Sequence, residues 1–202
     1  MKQVLVKTLF FSAFVLMASC NDGKNKTDSK EVAKEENEQK FDDKPIEDDA
    51  KFVLTAAEGG MIEVKLGELA QTNAMSASVK EFGKMMAQDH GKANGELKAL
   101  AASKNISIPD SLGGKKRDKF NDLAGKKGKD FDKAYTEFMV EDHKEDIDAF
   151  KKEADNGNDA AIKEWAAGKV SILEHHLMMA ENARDGKKLM DHSKDSMSMK
   201  HD

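Results

Sequence analysis

Cysteine is almost absent from this sequence: its 202 residues contain one, at position 20. An internal disulfide is therefore excluded. Proline is equally scarce, at 2 residues, and one Trp and one Tyr stand beside 10 Phe. No alternating β-branched run is present, so no strand pattern competes with a helical one. Concentrated positive charge is also missing. A net charge of −5 argues against a nucleic-acid partner, which needs a dense basic surface. The short run Lys115-Lys116-Arg117 reads as a solvated turn. There is no phosphate loop, no serine in a nucleophile motif and no spare cysteine, so an enzymatic reading finds no support. The longest apolar run, Leu9 to Met17, is too short to cross a bilayer as a helix.

What the chain does have is helix-forming composition, rich in Ala, Lys, Glu, Leu and Met, and a distinctive start. Lys2 and Lys7 precede the apolar run, which ends in Met17-Ala18-Ser19-Cys20. A basic start, a short apolar core and small residues describe an export signal. The small residues followed by Cys resemble a bacterial lipobox, with Met17 where Leu is usual. The resemblance implies cleavage after residue 19, lipidation of Cys20 and a membrane partner reached through the lipid. It places the protein in the cell envelope, periplasmic or outer-membrane-associated. Loss of Lys2 and Lys7 with residues 1–19 takes the charge from −5 to −5 − 2 = −7. Residues 20–47 are Lys/Glu/Asp/Asn-rich with few apolar positions, and are expected to form a flexible charged tether.

From residue 48 the pattern changes to four helical segments, at about 48–73, 76–104, 130–155 and 159–184. Ser76 is a candidate N-cap, Asn105 a candidate stop, and Asn156-Gly157-Asn158 a tight turn. At about 100° per residue, each segment carries an apolar stripe. The first holds Phe52, Ala56, Gly59, Leu66 and Ala70, with Glu58, Lys65 and Glu68 opposite; the second centres on Met86 and His90. The third holds Phe131, Tyr135, Met139, His143 and Phe150, and the fourth Ile162, Trp165, Leu173 and His176. Residues 105–129 are looser, with room for a short helix near 116–123. Two short connections and one long one between helices 2 and 3 predict an all-α four-helix bundle over residues 48–186. Glycines at 59, 60, 67, 83, 91 and 95 suggest close helix approach within the first hairpin. Residues 187–202 have no periodicity and are expected to form a disordered Met/His-rich tail.

Three blocks carry a family resemblance. They are Phe52-Val53-x-x-Ala56-Ala57-x-Gly59-Gly60-x-x-Glu63-Val64-x-Leu66-Gly67, Val79-Lys80-x-Phe82-Gly83-x-Met85-Met86-x-x-Asp89-His90, and Phe131-Asp132-x-Ala134-Tyr135-x-x-x-Met139-Val140-x-Asp142-His143. In this order, over about residues 48–184, they resemble the bacterial exported proteins and lipoproteins of domain-of-unknown-function family 4142. The resemblance implies a ferritin-like four-helix bundle and no particular activity.

The stripes place one polar residue apiece among apolar ones: Glu63, His90, His143 and His176, with Asp146 one turn from His143. Counting back from the turns at about 1.5 Å per residue brings them to similar depths. A carboxylate with three imidazoles suits Zn, Cu, Fe or Mn. No Glu-x-x-His occurs, so the carboxylate-rich pattern of di-iron bundles is missing. The other reading is structural: a buried histidine bonded to Glu63 or Asp146 fixes helix register. Asp89 and Asp142 read as solvent-facing or inter-helix hydrogen-bonding groups, and Met85, Met86 and Met139 as core filler. The tail offers a separate soft-donor set, Met190, His192, Met197, Met199 and His201, suited to Cu(I) or Ag(I). The sequence thus describes a non-enzymatic binding or interaction module of the envelope, with transition-metal binding as the alternative.

Overall fold

A computed structural model describes residues 28–187. Cys20 and the tail positions Met190, His192, Met197, Met199 and His201 lie outside the described residues. Among the described residues six helices follow one another: α1 (Ser29–Phe41), α2 (Glu47–Asn73), α3 (Ala77–Ser103), α4 (Gly114–Ala124), α5 (Gly128–Asn156) and α6 (Ala160–Arg184). Helices α2, α3, α5 and α6 are the four predicted segments, each within two residues of its expected ends. They pair as two hairpins, α2 with α3 and α5 with α6, which meet through α2–α5 and α3–α6.

The connection between the hairpins sets the topology. Ala74, at the α2–α3 turn, bridges to Gly128 at the start of α5. Asp49, near the start of α2, meets Asn158 and Asp159 at the α5–α6 turn. The chain from α3 to α5 therefore travels the length of the bundle, and every neighbouring pair of core helices is antiparallel. This is the four-helix bundle with one long crossover, the ferritin-like arrangement.

Local signals explain the ends. Asp159 caps α6 by accepting from the backbone N–H groups of Ala161 and Ile162, at 3.0 and 3.2 Å. Ser76 holds the N-cap position of α3 but makes no cap bond; its hydroxyl pairs with that of Ser78. Asn105 takes positive φ after α3, as its stop role requires. The close approach expected of the first hairpin is real at two glycines. A Cβ on Gly67 would stand 2.5 Å from the Gly83 carbonyl oxygen, and one on Gly83 2.8 Å from that of Gly67. Gly91 and Gly95 face open space and are tolerated rather than required.

Three sequence expectations need correction. The tether over 20–47 is not uniformly flexible, because residues 29–41 form α1 and dock on α2. Its buried residues, Ala33, Asn37 and Phe41, recur every four positions. That stripe is one residue wide, too narrow to stand out in a charged segment. Asn37 exchanges two hydrogen bonds with the backbone of Ser107, at 2.8 and 2.7 Å. Glu58, expected to face solvent, is 3% exposed. Its carboxylate accepts from Lys30 Nζ and Gly113 N, because α1 and the connection cover the back of α2. Lys116 is not in a solvated turn: α4 carries it against α5, where it pairs with buried Asp142.

Candidate metal centre

The apolar core divides along the bundle. One cluster, with Ile62, Leu66, Phe82, Met86, Tyr135 and Met139, fills the end near the α2–α3 turn. Two others, around Val53 and Leu97 and around Ile147 and Phe150, fill the opposite end. Between them lies a polar layer. Glu63 from α2, His90 from α3, His143 from α5 and His176 from α6 are each buried there, as their places on the four stripes predicted.

The three imidazoles form a triangle with ring centroids 5.6, 5.0 and 5.5 Å apart. One ring nitrogen from each lies within 4.8 Å of those of the other two. Each histidine also has a ring nitrogen held by an oxygen. His90 Nδ1 is 2.7 Å from Glu63 Oε2, His143 Nδ1 is 2.9 Å from the Met139 carbonyl, and His176 Nε2 is 2.9 Å from Asp89 Oδ2. This pairing of the second nitrogen with an oxygen is what orients histidines in metal sites.

Hydrogen-bond logic fixes the protons. Asp89 is half-exposed, and its bond to His176 holds its carboxyl below the usual range, so it is an acceptor only. His176 Nε2 must then donate. Burial depresses all three histidines, His90 to about 4, so each is neutral and carries one proton. His176 Nδ1 therefore accepts, and His90 Nε2, 3.2 Å away, donates to it. His90 Nδ1 must accept from Glu63, whose carboxyl is protonated. Burial, reinforced by Asp142, indeed raises Glu63 well above the carboxylate range. The result is one directed chain, Glu63 to His90 to His176 to Asp89, from a carboxyl 1% exposed to one near the surface.

His143 stands beside this chain, its Nδ1 3.5 Å from Glu63 Oε1, beyond hydrogen-bond geometry. Its Nδ1 donates to the Met139 carbonyl, so Nε2 carries the lone pair, and that buried atom has no hydrogen-bond partner among the described residues. Glu63 Oε1 has none either. Natural interiors leave few such atoms unsatisfied.

Below the histidines the layer turns acidic. Asp146 is brought to the site as expected. Asp142, read from sequence as a solvent-facing or inter-helix hydrogen-bonding group, is buried, takes an inter-helix bond from Lys116 and belongs to the layer: a carboxylate oxygen from each of Glu63, Asp142 and Asp146 lies within 4.8 Å of the others. Burial raises Asp146 strongly and Asp142 as well, the latter opposed by Lys116. The available signal for Asp142 was its spacing, four residues before Asp146 on one helix face. Its burial depends on α4, which the stripe of α5 does not reveal.

A cleft of about 440 Å³ reaches the layer from outside, with Glu63, Asp89, His90, Asp146 and His176 in its wall. Phe52, Phe150 and Trp165 pack edge-on or tilted, with centroids 5.0–6.3 Å apart, and Phe150 and Trp165 line the cleft. The neighbouring His175 is half-buried and also lines the opening.

No curated protein matches the chain. A solved structure, from a Streptomyces coelicolor DUF305 protein described as secreted, is similar with a TM-score of 0.57 at 16% identity. The similarity covers 70% of this chain and 94% of that one, and at this identity it speaks to the fold alone. The family model for the domain of unknown function DUF4142 matches residues 33–183, spanning the bundle and all the residues of the polar layer, and the chain belongs to that family.

Proposed function

We propose that this is an exported, lipid-anchored bundle protein that binds a transition-metal ion through His90, His143 and His176. The observation that carries the reading is His143 Nε2: a buried lone pair with no partner, in a triangle of imidazoles. The donor set fits such an ion. Two nitrogens each about 2.05 Å from a tetrahedral ion stand roughly 3.3 Å apart, and His90 Nε2 and His176 Nδ1 are separated by 3.2 Å. Three neutral imidazoles suit Zn(II), Cu(II), Fe(II) or Ni(II). Glu63 and Asp89 serve as the carboxylates behind His90 and His176. Binding requires His90 to move its proton from Nε2 to Nδ1, which turns Glu63 from donor to acceptor. The cleft leaves an approach from outside. Export and anchoring rest on the basic, apolar and small-residue sequence ending at Cys20, and agree with the description of the Streptomyces protein as secreted.

Zn(II) titration of the purified full chain, with elemental analysis after desalting, tests the reading. One ion per chain is expected. His143→Ala and His90→Ala are each expected to reduce its affinity by 100-fold or more, while deletion of residues 188–202 leaves it unchanged. Metal lost only with the tail assigns binding to Met190, His192, Met197, Met199 and His201 instead. No retained metal leaves the layer as a hydrogen-bonded core element. For the anchor, Cys20→Ser is expected to release the protein from the membrane fraction.

A further inference from the structure

Asp142 and Asp146, the acidic part of the layer beyond Glu63, are unused by the histidine reading. Glu63 meets Asp142 and Asp146 across the α2–α5 contact, one carboxylate oxygen of each within 4.8 Å of the others. The ammonium that meets this group is Lys116, 2.5 Å from Asp142 Oδ1. Without an ion, Glu63 keeps its proton; ionised together, the three carboxylates against one ammonium would leave two negative charges, which an interior does not hold unbalanced. Two oxygens within the group, Glu63 Oε1 and Asp142 Oδ2, are buried and have no hydrogen-bond partner. Glu63 is 1% exposed and Asp142 5%.

We propose that Glu63, Asp142 and Asp146 form a second cation site, selective for a hard divalent ion of the Mn(II) class, beside the three histidines. An all-oxygen donor set favours such ions over the softer ones that imidazole prefers. A charge of +2 would balance the fully ionised group beside Lys116, taking the place of the proton on Glu63. The site has two approaches. Asp146 opens into the main cleft, and Lys116 and Asp142 line a second cleft of about 510 Å³ beside α4.

Glu63 belongs to both halves, and this couples them. Its Oε2 touches His90 Nδ1 at 2.7 Å. An ion on the carboxylates keeps Glu63 ionised and therefore an acceptor only. His90 then presents N–H at Nδ1 to Glu63 and its lone pair at Nε2 to the histidine pocket, the form that a metal requires. Filling either site favours the other, and the coupling is reciprocal. The coupling rests on the histidine reading; the carboxylate site does not.

The test is Mn(II) titration of the purified full chain, followed by the electron paramagnetic resonance signal of the free ion. One Mn(II) per chain is expected. Asp142→Asn with Asp146→Asn is expected to weaken binding at least tenfold, by the usual order for lost ligands and their supports. Lys116→Met, which removes the competing cation from Asp142 without replacing a ligand, is expected to tighten it several-fold. It decides the matter even if the double variant fails to fold. With Mn(II) saturating, Zn(II) is expected to bind about tenfold tighter, a gain within the usual range of coupling and abolished by Glu63→Gln. Absence of Mn(II) uptake overturns the proposal, as does uptake that none of these substitutions changes. Mn(II) uptake without Zn(II) binding keeps the carboxylate site and removes the histidine reading; Zn(II) binding without Mn(II) uptake does the reverse.

Discussion

Buried polar groups at the end of the bundle near the α5–α6 turn and in its middle are treated in opposite ways. At that end, Asp49 is fully buried and its carboxylate accepts from the backbone N–H groups of Asn158 and Asp159, at 2.9 and 2.6 Å. Asn37 and Glu58 are likewise bonded to the chain they pin, Ser107 and Gly113. In the middle, Glu63 Oε1, Asp142 Oδ2 and His143 Nε2 are as deeply buried and have no hydrogen-bond partner. A satisfied buried group stabilises and fixes register; an unsatisfied one costs about 1–3 kcal/mol and persists where something other than stability selects it. Unpartnered atoms also occur outside the layer, at Tyr135 Oη, Glu153 Oε1 and Trp165 Nε1; what sets the middle apart is that three of them belong to one group of clustered histidines and carboxylates.

The comparison can be tested by removing a group from each side. Asp49→Ala should have the largest effect, since it orphans two backbone N–H groups at the start of α6. A loss of about 3 kcal/mol, roughly 6–12 °C in Tm, is expected by thermal melting. Asn37→Ala removes both bonds to Ser107 and should cost about 2 kcal/mol, seen as undocking of α1 and faster amide exchange in residues 29–41. His143→Leu should reverse the pattern. It removes the unpartnered Nε2 and keeps an apolar side chain of similar size, so metal-free stability should change by less than about 1 kcal/mol while Zn(II) binding is lost. A large loss of metal-free stability on this substitution would break the contrast.

Glu153 gives the smallest and most particular test, because one oxygen of its carboxyl is unpartnered at the end where Asp49 is fully bonded. Its Oε1 has no partner, and burial with neighbouring Asp49 pushes its pKa from 4.5 up to about 7. Between those values the folded protein holds a proton that the unfolded chain has released. The protonated carboxyl therefore favours folding at low pH, and that contribution fades as pH rises from about 4.5 through about 7. Glu153→Gln should flatten this part of the stability–pH curve measured by chemical denaturation.

The sequence by itself determined the four long helices, their pairing in two hairpins and the residue that each stripe contributes to the polar layer. These follow from local periodicity, capping at Asp159 and the turn at Asn156-Gly157-Asn158, which depend on neighbours a few residues away. Glu63, His90, His143 and His176 could be read because each interrupts an otherwise apolar stripe. Only the tertiary structure decided what lies behind those stripes. Asp142 and Glu58 look solvent-facing on their own helices, and they are buried because α4 brings Lys116 to one, while α1 and the crossover cover the other. Periodicity reports which face of a helix is apolar; it cannot report that a distant segment will cover a polar face and supply the charge or N–H that makes burial tolerable. The same limit applies to the unpartnered atoms. Whether His143 Nε2 finds a hydrogen-bond partner depends on angles and distances among four helices, and that geometry exists only once they are packed.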